Sequence, residues 1–575
     1  MSTIGIYGGS HDPCILGYTN GTYPNGTLGR GKWDPFGTYL PTSAEKQACQ
    51  NANDPWSKSM YYGWWTTYFI IVGIVILSAV NGIKRLRNLN RILGMPSVIY
   101  FPAKLSAIFR MASYPQLPSW QGAIPSFGSF FLLFGFLLFS ILVCFSRRPY
   151  YRPPNYGSSP LGLRSEFIAT AMVPWLYATA TKKNFLEIFT GVSFGQIMSF
   201  HKWAPWICLI MSLVHTCSMI IQAEQNHPLW YIFQNSAYYW NGFIPLVALA
   251  WLCIMSLKPI RARFYETFYV LHISTAIVFL VSMYIHLNNL LNTWRYLHAA
   301  VVLWGAAVAW RFFAYVHDHA CFRSIPRASI EALPSNAIRI CVPMPRNRTW
   351  GPGSHVYIRF LGLRSWQSHP FSISSLPARP TMRNGDEINE GVEKHQMVLV
   401  VRRCTGITAC LGHLTSQSLE PVIRACLVDG PYGGLMDSVQ ACDTVLLLAG
   451  GSGMASIIPI AQALSRLLKT QKMSCCKTCL IHWSIRDSRA IEWFKDQLNE
   501  IDEITIYITG TDKSKKASEQ YINSKLIQKQ GRPNLSVLVK NTAEKYSGRL
   551  GVVVSGPLCM NLNARKAENF TATRK

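Results

Sequence analysis

The sequence predicts a polytopic α-helical membrane domain, followed by a small antiparallel β-barrel and an α/β domain. Three observations support this order: about seven long apolar segments in the first half, short alternating strands after them, and a strand, glycine-rich turn and helix near the end. We divide the chain into an N-terminal segment (1–60), a transmembrane domain (61–318), a barrel (322–436) and an α/β domain (440–575).

Composition places the chain among membrane proteins. Of its 575 residues, 49% are hydrophobic and only 14% are charged, which is too apolar for an ordinary soluble protein. Each apolar segment can cross a hydrocarbon core about 30 Å thick. The third is the weakest, because Pro174 interrupts it and Glu166 lies at its start. The predicted spans are 61–81, 127–145, 165–181, 197–222, 242–257, 265–287 and 296–315.

Basic residues predict the orientation of these spans. They cluster after the first span, between the third and fourth, and after the fifth: Lys84, Arg85, Arg87, Arg91, Lys104, Arg110, Lys182, Lys183, Lys202, Lys258, Arg261 and Arg263. Placing them inside puts the N-terminus outside and the C-terminal domains in the cytosol. The stretch 147–164 is an exception, because it carries four arginines on the outer side.

The first sixty residues contain no basic region followed by an apolar core, so we expect no cleavable signal peptide and a first span that acts as the anchor. Two sequons, at Asn20 and Asn25, lie in the segment assigned outside, which predicts a glycoprotein. Cys14 and Cys49 lie in the same segment and could form a disulfide there.

Four histidines repeat one interval, because His201 and His215, like His272 and His286, are fourteen residues apart. On a helix, fourteen residues rise roughly 21 Å and return to within about 40° of the same face. Since imidazole is an axial ligand of haem iron, two such helices predict two b-type haems. The inner iron would lie between His201 and His272, and the outer iron between His215 and His286. Structural packing is the alternative for each histidine, and it is our interpretation of His298.

The formal net charge of +27 does not predict a nucleic-acid partner. Much of this charge lies beside the membrane, where it meets anionic lipid, and no nucleic-acid module is apparent. Cys475, Cys476 and Cys479 resemble a thiol cluster. No second pair of cysteines completes a zinc site, so a reduced cytosolic surface is the better interpretation.

The second half begins with short alternating segments (337–342, 355–360 and 396–402) that predict the strands of the barrel. From Thr444, the run TVLLLAG-GSGMAS-IIPIAQALSRLL predicts a buried strand, a turn and a helix. Glycines at such a turn allow close approach of a pyrophosphate to the helix N-terminus. Ser456 occupies the third glycine position of the dinucleotide pattern, so the turn alone is a weak signal.

Four motifs occur in a fixed order: HPFSIS, GPYGG, LLLAGGSGMASIIP and a late SGP. This order resembles a ferredoxin-NADP reductase-like module. Fused behind the paired histidines, the module resembles the fungal ferric-chelate reductase family, within the ferric reductase and NADPH oxidase superfamily. The resemblance covers roughly residues 160 to 565.

The resemblance implies FAD and NADPH as cofactors, held by residues of several segments. For FAD these are His369, Pro370, Phe371, Ser372, Ser374, Arg402, Gly406 and Thr408. For NADPH they are Gly450, Gly451, Ser452, Gly453, Arg486, Gly556 and Pro557. Arg486 is implied to take the 2′-phosphate, which favours NADPH over NADH. The competing interpretations are a basic edge strand around Arg402 and a solvent-facing side chain at Arg486.

Two departures from the family pattern accompany the resemblance. Ser555 stands where the family has a cysteine before Gly-Pro, so Ser555 and the nearby Cys559 are the candidate catalytic residues beside the nicotinamide. Lys202 follows the first histidine in place of the family's arginine, and it is the candidate to neutralise the inner haem propionates.

The implied function is a transmembrane oxidoreductase of the plasma membrane. It would pass electrons from cytosolic NADPH, through FAD and two haems, to extracellular ferric and also cupric chelates for iron uptake. Two alternatives stay open: an NADPH oxidase that produces superoxide, and a low-turnover protein of haem or iron transport. The implied partners are membrane lipid, a metal chelate or haem iron as acceptor, and an iron permease or oxidase.

Overall fold

The computed structural model describes residue 14 and the ranges 32–33, 38–95, 126–182, 184–320, 325–363, 367–378, 395–418, 420–470, 474–510, 520–523 and 526–572. The chain forms two compact units. The first comprises Met1–Asn81 and Gln116–Arg311, and the second comprises Gly82–Pro115 and Phe312–Lys575. The sequons at Asn20 and Asn25 lie outside the described residues.

The N-terminal segment contains two short paired strands, β1 (Lys32–Trp33) and β2 (Tyr39–Leu40), and the helix α1 (Ser43–Asn53). Thr42 and Glu45 form a capping box at the start of α1, which satisfies backbone N–H groups at the helix end. Cys14 is joined to Cys49 on α1, so the expected disulfide is confirmed.

The rest of the first unit is helical. In chain order the helices are α2 (Met60–Ile92), α3 (Phe127–Phe145), α4 (Pro160–Thr179), α5 (Phe185–Thr190), α6 (Phe194–Glu224), α7 (Leu229–Asn235), α8 (Ala237–Met255), α9 (Lys258–Arg263), α10 (Tyr265–Leu287) and α11 (Trp294–Ala320). Within the described ranges, six helices are long and apolar enough to cross a membrane: α2, α3, α6, α8, α10 and α11.

Helix α4 corresponds to the weak third span and is not among those six. It is nevertheless 20 residues long, about 30 Å, and sixteen of its residues are buried. Protein side chains surround it on almost every face, so it does not need the apolar composition of a helix that faces lipid. The count of seven spans stays a prediction.

The arginines between 147 and 164 departed from the expected charge distribution, and burial accounts for two of them. The Arg164 side chain is 0% exposed and donates from Nη2 to Asp54 at 2.6 Å. Arg152 is also buried; its Nη2 donates to the Asp54 carbonyl at 2.6 Å, and its backbone N–H to Gln222 at 2.7 Å. The Asp54 carboxylate neutralises Arg164, and the Arg152 guanidinium is hydrogen-bonded inside the protein, so neither side chain is exposed beside the membrane.

The second unit contains a six-stranded antiparallel sheet with the order β6-β5-β8-β3-β4-β7. Its strands are β3 (Arg327–Leu333), β4 (Ala337–Pro343), β5 (His355–Phe360), β6 (His369–Ser372), β7 (Gln396–Arg402) and β8 (Val422–Tyr432). Alternate residues Ile338, Ile340 and Val342 on β4 are fully buried. This period of two places one face of the strand in the core, as predicted for the barrel.

A six-stranded, mainly parallel sheet follows, with the order β12-β13-β11-β10-β9-β14. Its strands are β9 (Thr444–Gly450), β10 (Thr478–Ile485), β11 (Ile504–Ile508), β12 (Gln520–Asn523), β13 (Leu526–Gln530) and β14 (Leu550–Ser555). The helices of the second unit are α12 (Ile407–Ser416), α13 (Met436–Gln440), α14 (Met454–Thr470), α15 (Lys495–Leu498), α16 (Leu535–Lys545) and α17 (Leu558–Ala572). The order reverses at β9, which lies between β10 and β14; in open α/β sheets, ligands bind at such a point.

Candidate functional site

Helices α6 and α10 bring the four histidines together in the predicted pairs. The ring centroids of His201 and His272 are 6.3 Å apart, and those of His215 and His286 are 6.1 Å apart. Each metal–nitrogen bond to an imidazole is about 2 Å long, and the ring centroid lies about 1 Å beyond that nitrogen. The centroids of two rings on opposite sides of one metal are therefore roughly 6 Å apart. The spacing therefore fits an iron between each pair.

Hydrogen bonds orient the two histidines of α6. Nδ1 of His201 lies 3.1 Å from the carbonyl oxygen of Leu176, and Nδ1 of His215 lies 2.9 Å from that of Gly162. A carbonyl only accepts, so each Nδ1 must carry the proton. Each Nε2 then keeps the lone pair that a metal needs, which is the usual arrangement around a metal-binding histidine.

The two acceptor carbonyls on α4 are themselves fourteen residues apart, the interval that separates the histidines. Because Gly162 contacts His215 and Leu176 contacts His201, α4 runs antiparallel to α6. The histidine contacts show that α6 and α10 run in the same direction. The sequence pattern missed Gly162 and Leu176, because a backbone acceptor has no residue-type signal.

A cavity lies beside His215 and His286. Gly242 on α8 lines it, and a Cβ at that position would lie 2.8 Å from Cε1 of His286. Because Gly242 has no side chain, the His286 ring can occupy this space.

Glu166 also lines this cavity and is buried at 5% exposure. Its Oε2 atom lies 3.8 Å from Nδ1 of His215, which is an ion-pair distance and too long for a hydrogen bond. The sequence interpretation treated Glu166 only as a weakness of the third span. Its position one helical turn after Gly162 is the signal that connects it with His215.

His298 and Lys202 lie apart from these contacts. The His298 ring packs against Tyr284 and Trp294, with centroids 5.6 Å and 6.3 Å away. This aromatic packing agrees with a structural role for His298. Lys202 is exposed on α6.

The predicted flavin residues of HPFSIS lie on β6 and just after it. Phe371 belongs to the barrel core, so its side chain is committed to packing, whereas Pro370 is exposed. Ser374 is fully buried, and its hydroxyl oxygen accepts from the Val400 N–H at 3.2 Å. The exposed edge of the motif is thus left to contact a ligand.

Aromatic residues on neighbouring strands complete this edge. His355 on β5 pairs with Ser372 of β6 on one side and with Tyr432 of β8 on the other. The ring centroids of His355 and Tyr357 lie 5.8 Å and 5.7 Å from that of Tyr432. Tyr432 belongs to the GPYGG motif, whereas none of the four motifs includes the two residues of β5.

Arg402, Gly406 and Thr408 surround the start of α12. Arg402 ends β7 and is exposed, and Gly406 is the N-terminal cap with a φ of +66°. Among the residues that the structure describes, no side chain caps this end of the helix, so its first N–H groups are open to an anion. The Thr408 hydroxyl accepts from the Cys404 N–H at 3.0 Å, which holds the preceding loop.

The glycine turn after β9 packs tightly against the end of β14. A Cβ on Gly450 would lie 2.9 Å from Cδ of Pro557, and one on Gly453 would meet the carbonyl oxygen of Ser555. Gly451 has a φ of +54°, which favours glycine. Only glycines allow this close approach, and the turn lies at the sheet edge where a pyrophosphate would bind.

Ser456, which occupies the third glycine position of the dinucleotide pattern, lies in contact with Ser555. Oγ of Ser456 lies 2.8 Å from Oγ of Ser555. Cys559, the other candidate catalytic residue, is exposed in the first turn of α17. Arg486 is exposed just after β10, at the same edge of the sheet as Gly450.

Three protein-family models match the chain. Residues 166–283 match the model described as ferric reductase like transmembrane component. Residues 322–435 match an FAD-binding domain, and residues 442–569 match a ferric reductase NAD binding domain. The chain thus contains a ferric-reductase membrane segment, an FAD-binding domain and an NAD-binding domain, in the predicted order.

Curated relatives are fungal proteins. The probable cell surface ferric reductase kap2 of Aspergillus oryzae is 32% identical over 65% of this chain, and the chain spans 50% of that protein. The ferric/cupric reductase transmembrane component 7 of Saccharomyces cerevisiae is 27% identical over 80% of this chain and 73% of its own length.

Among solved structures, a ferredoxin NADP+ reductase from Neisseria gonorrhoeae with bound FAD and NADP matches 43% of this chain and 91% of its own. The identity is 14% and the TM-score is 0.30, a likeness too low to add to the assignment. The chain therefore contains segments that match a ferric reductase like transmembrane component, an FAD-binding domain and a ferric reductase NAD binding domain, and it is similar to fungal ferric reductases.

Proposed function

We propose that the chain is an NADPH-dependent oxidoreductase that reduces ferric chelates, and cupric ones, across a membrane. The observation that carries the proposal is the two histidine pairs on parallel helices, in one chain with FAD-binding and NAD-binding domains. Relatives named ferric and ferric/cupric reductases support the substrate class.

In this proposal, the histidines hold two haems, and the glycine turn and the edge of the barrel hold NADPH and FAD. Nicotinamide supplies electrons in pairs, haem iron takes them singly, and a flavin does both. The carbonyls of Gly162 and Leu176 keep the two α6 rings in the tautomer that leaves Nε2 free. His286 is buried between the helices, and the other three histidines are partly buried there.

We also propose the orientation given by the basic residues, in the plasma membrane, with α4 as a seventh crossing. The disulfide of Cys14 and Cys49 supports an outer N-terminal segment, since disulfides persist in oxidising compartments. Exposed Lys84 and Arg85 follow the first crossing and support an inner position there. A negative-inside potential favours outward movement of an electron by about 2.3 kcal/mol per 100 mV.

The acceptor is tested with membranes that contain the full chain. NADPH and a ferric chelate are added, and ferrous ion is followed with a coloured ferrous chelator, while superoxide is measured in parallel. We expect ferrous ion to appear at a rate that superoxide dismutase does not change. Superoxide production without direct iron reduction would contradict the proposal.

Ferrous ion released outside needs a transporter, so we propose an iron permease or oxidase as partner.

The haem sites are tested by spectroscopy. In His215→Ala, we expect about half of the low-spin haem absorbance to be lost, because one of two bis-histidine sites is broken. His298→Ala is the matched control, since His298 packs against aromatic rings, and its spectrum should be unchanged. An unaltered spectrum in His215→Ala would contradict the assignment of the ligands.

A further inference from the structure

Two residues of opposite charge follow β10, the second strand of the nucleotide-binding sheet. Ser484 of β10 pairs with Gly450 of β9, so Arg486 and Asp487 lie beside the glycine turn at the same sheet edge. In dinucleotide sites, a carboxylate near this position accepts the ribose 2′-hydroxyl of NADH, whereas an arginine accommodates the 2′-phosphate of NADPH. This chain has both groups in consecutive positions.

The Asp487 carboxylate is already engaged by donors from Arg489 and Ser335. Its Oδ1 accepts from the Arg489 backbone N–H at 3.0 Å. Its Oδ2 accepts from Arg489 Nε at 2.8 Å, lies 2.7 Å from Arg489 Nη2, and accepts from Ser335 Oγ at 2.9 Å. Each carboxylate oxygen has about two lone pairs, so the three donors at Oδ2 leave no acceptor position on that atom, and the Arg489 guanidinium offsets the negative charge of the carboxylate.

The donors come from two separate elements. Arg489 follows Asp487 by two residues, and its side chain is 74% exposed. Ser335 lies in the turn between β3 and β4 of the barrel, where both Ser335 and Asn336 have positive φ values. The turn consists of the three residues 334–336, since Leu333 of β3 pairs with Ala337 of β4. The hydrogen bonds from Arg489 are the main reason that the pKa of Asp487 lies below its usual range.

Arg486 differs from Arg489. It is exposed, and within the described parts of the chain its side chain has no hydrogen bond or ion pair. Of the two arginines that flank Asp487, one is therefore engaged with the carboxylate and the other is available. A guanidinium group suits a phosphate because it donates in a planar fork.

We propose that Arg489 and Ser335 determine nucleotide selectivity by occupying Asp487, which leaves Arg486 to bind the 2′-phosphate of NADPH. This inference rests on the proposed function, which makes a nicotinamide dinucleotide the electron donor. Without Arg489, the carboxylate would accept the ribose 2′-hydroxyl of NADH and repel the phosphate of NADPH. Arg489 is thus a positioning residue that acts through Asp487.

The test measures dissociation constants of NADP+ and NAD+ for the full chain in detergent, with no metal acceptor present. In Arg489→Ala, we expect the NADP+ preference to fall roughly tenfold, the worth of one hydrogen bond to a charged group. Ser335→Ala should lower it by a smaller factor, since it removes one donor of four. Arg466→Ala is the control, because Arg466 pairs with Glu500 elsewhere in the same domain.

The double variant Asp487→Asn/Arg489→Ala decides between two roles of Arg489. If Arg489 acts by occupying Asp487, removal of the carboxylate charge restores the NADP+ preference. A double variant as weakly selective as Arg489→Ala would show that Arg489 binds the phosphate itself, and the proposal would be overturned. An unchanged preference in Arg489→Ala would also overturn it.

The nucleotide-selectivity proposal and the proposed function can fail independently of each other. Selective nucleotide binding in a chain that reduces no metal chelate would contradict the proposed function and leave the selectivity mechanism intact. A chelate reductase whose Arg489→Ala variant keeps the wild-type nucleotide preference would contradict the selectivity mechanism alone.

Discussion

The carbonyl oxygen of Gly162 lies 2.9 Å from Nδ1 of His215. This contact, and its counterpart between Leu176 and His201, makes α4 the helix that orients the rings of α6. Within the described residues, Nδ1 of His272 and of His286 has no hydrogen-bond partner. The two sides of each histidine pair are thus held differently: one ring by a backbone acceptor, and the other by packing.

Packing around His286 depends on Gly242, so Gly242→Ala should damage the outer site selectively. The new Cβ would lie 2.8 Å from Cε1 and 3.2 Å from Nδ1 of His286, and the ring must move. We expect about half of the bound haem to be lost, measured as haem per protein. Gly135→Ala on α3 is the control, because a Cβ there meets nothing within 4 Å. Full haem content in both variants would show that His286 tolerates the shift.

The buried pair of Arg164 and Asp54 should be important for stability. Asp54→Ala leaves the guanidinium of Arg164 uncompensated at 0% exposure, and breaking a buried pair in this way costs about 3–5 kcal/mol. We expect a clear fall in the melting temperature of the detergent-solubilised protein. Glu492→Ala removes the exposed partner of Lys495 and should change stability by less than about 0.5 kcal/mol. Equal melting temperatures for the two variants would contradict this prediction.

The glycine turn should not tolerate a side chain at Gly453. Gly453→Ala directs a methyl group at the carbonyl oxygen of Ser555, so the turn must move away from β14. We expect NADP+ binding to weaken at least tenfold, which titration calorimetry can measure, and the haem spectrum to stay unchanged. Gly351→Ala is a control in the same unit, since its Cβ would meet only Ser354 Oγ at 3.7 Å. Wild-type affinity in Gly453→Ala would show that the turn adapts.

His482 on β10 should make stability depend on pH. Burial, with a smaller effect of nearby Lys529, lowers its pKa from 6.5 to about 4. Between these values the unfolded chain binds more protons at His482 than the folded chain, so the free energy of unfolding decreases as the pH falls from 6.5 to about 4. In His482→Gln, we expect a shallower decrease of the melting temperature over this range. A slope equal to that of the wild type would contradict a buried neutral histidine.

The sequence predicted the fold class well, because hydropathy, strand alternation and the strand–turn–helix unit are local signals. The histidine interval predicted both pairs, since a rigid helix converts spacing into position. It could not predict the acceptors at Gly162 and Leu176, because every residue has a carbonyl group. Nor could it predict that Ser335 contacts Asp487, which are 152 residues apart. The assignments of Ser555, Cys559 and the cofactor residues stay predictions for experiment.

Helices α4, α6 and α10 share the fourteen-residue interval, and this has a consequence for how the family can vary in length. A single inserted residue would rotate one site relative to the other by about 100° about the helix axis. This holds for an insertion between 162 and 176, between 201 and 215, or between 272 and 286. Substitutions can be compensated by neighbouring side chains, but such an insertion cannot. Length variation among relatives should therefore be confined to the segments that connect these helices.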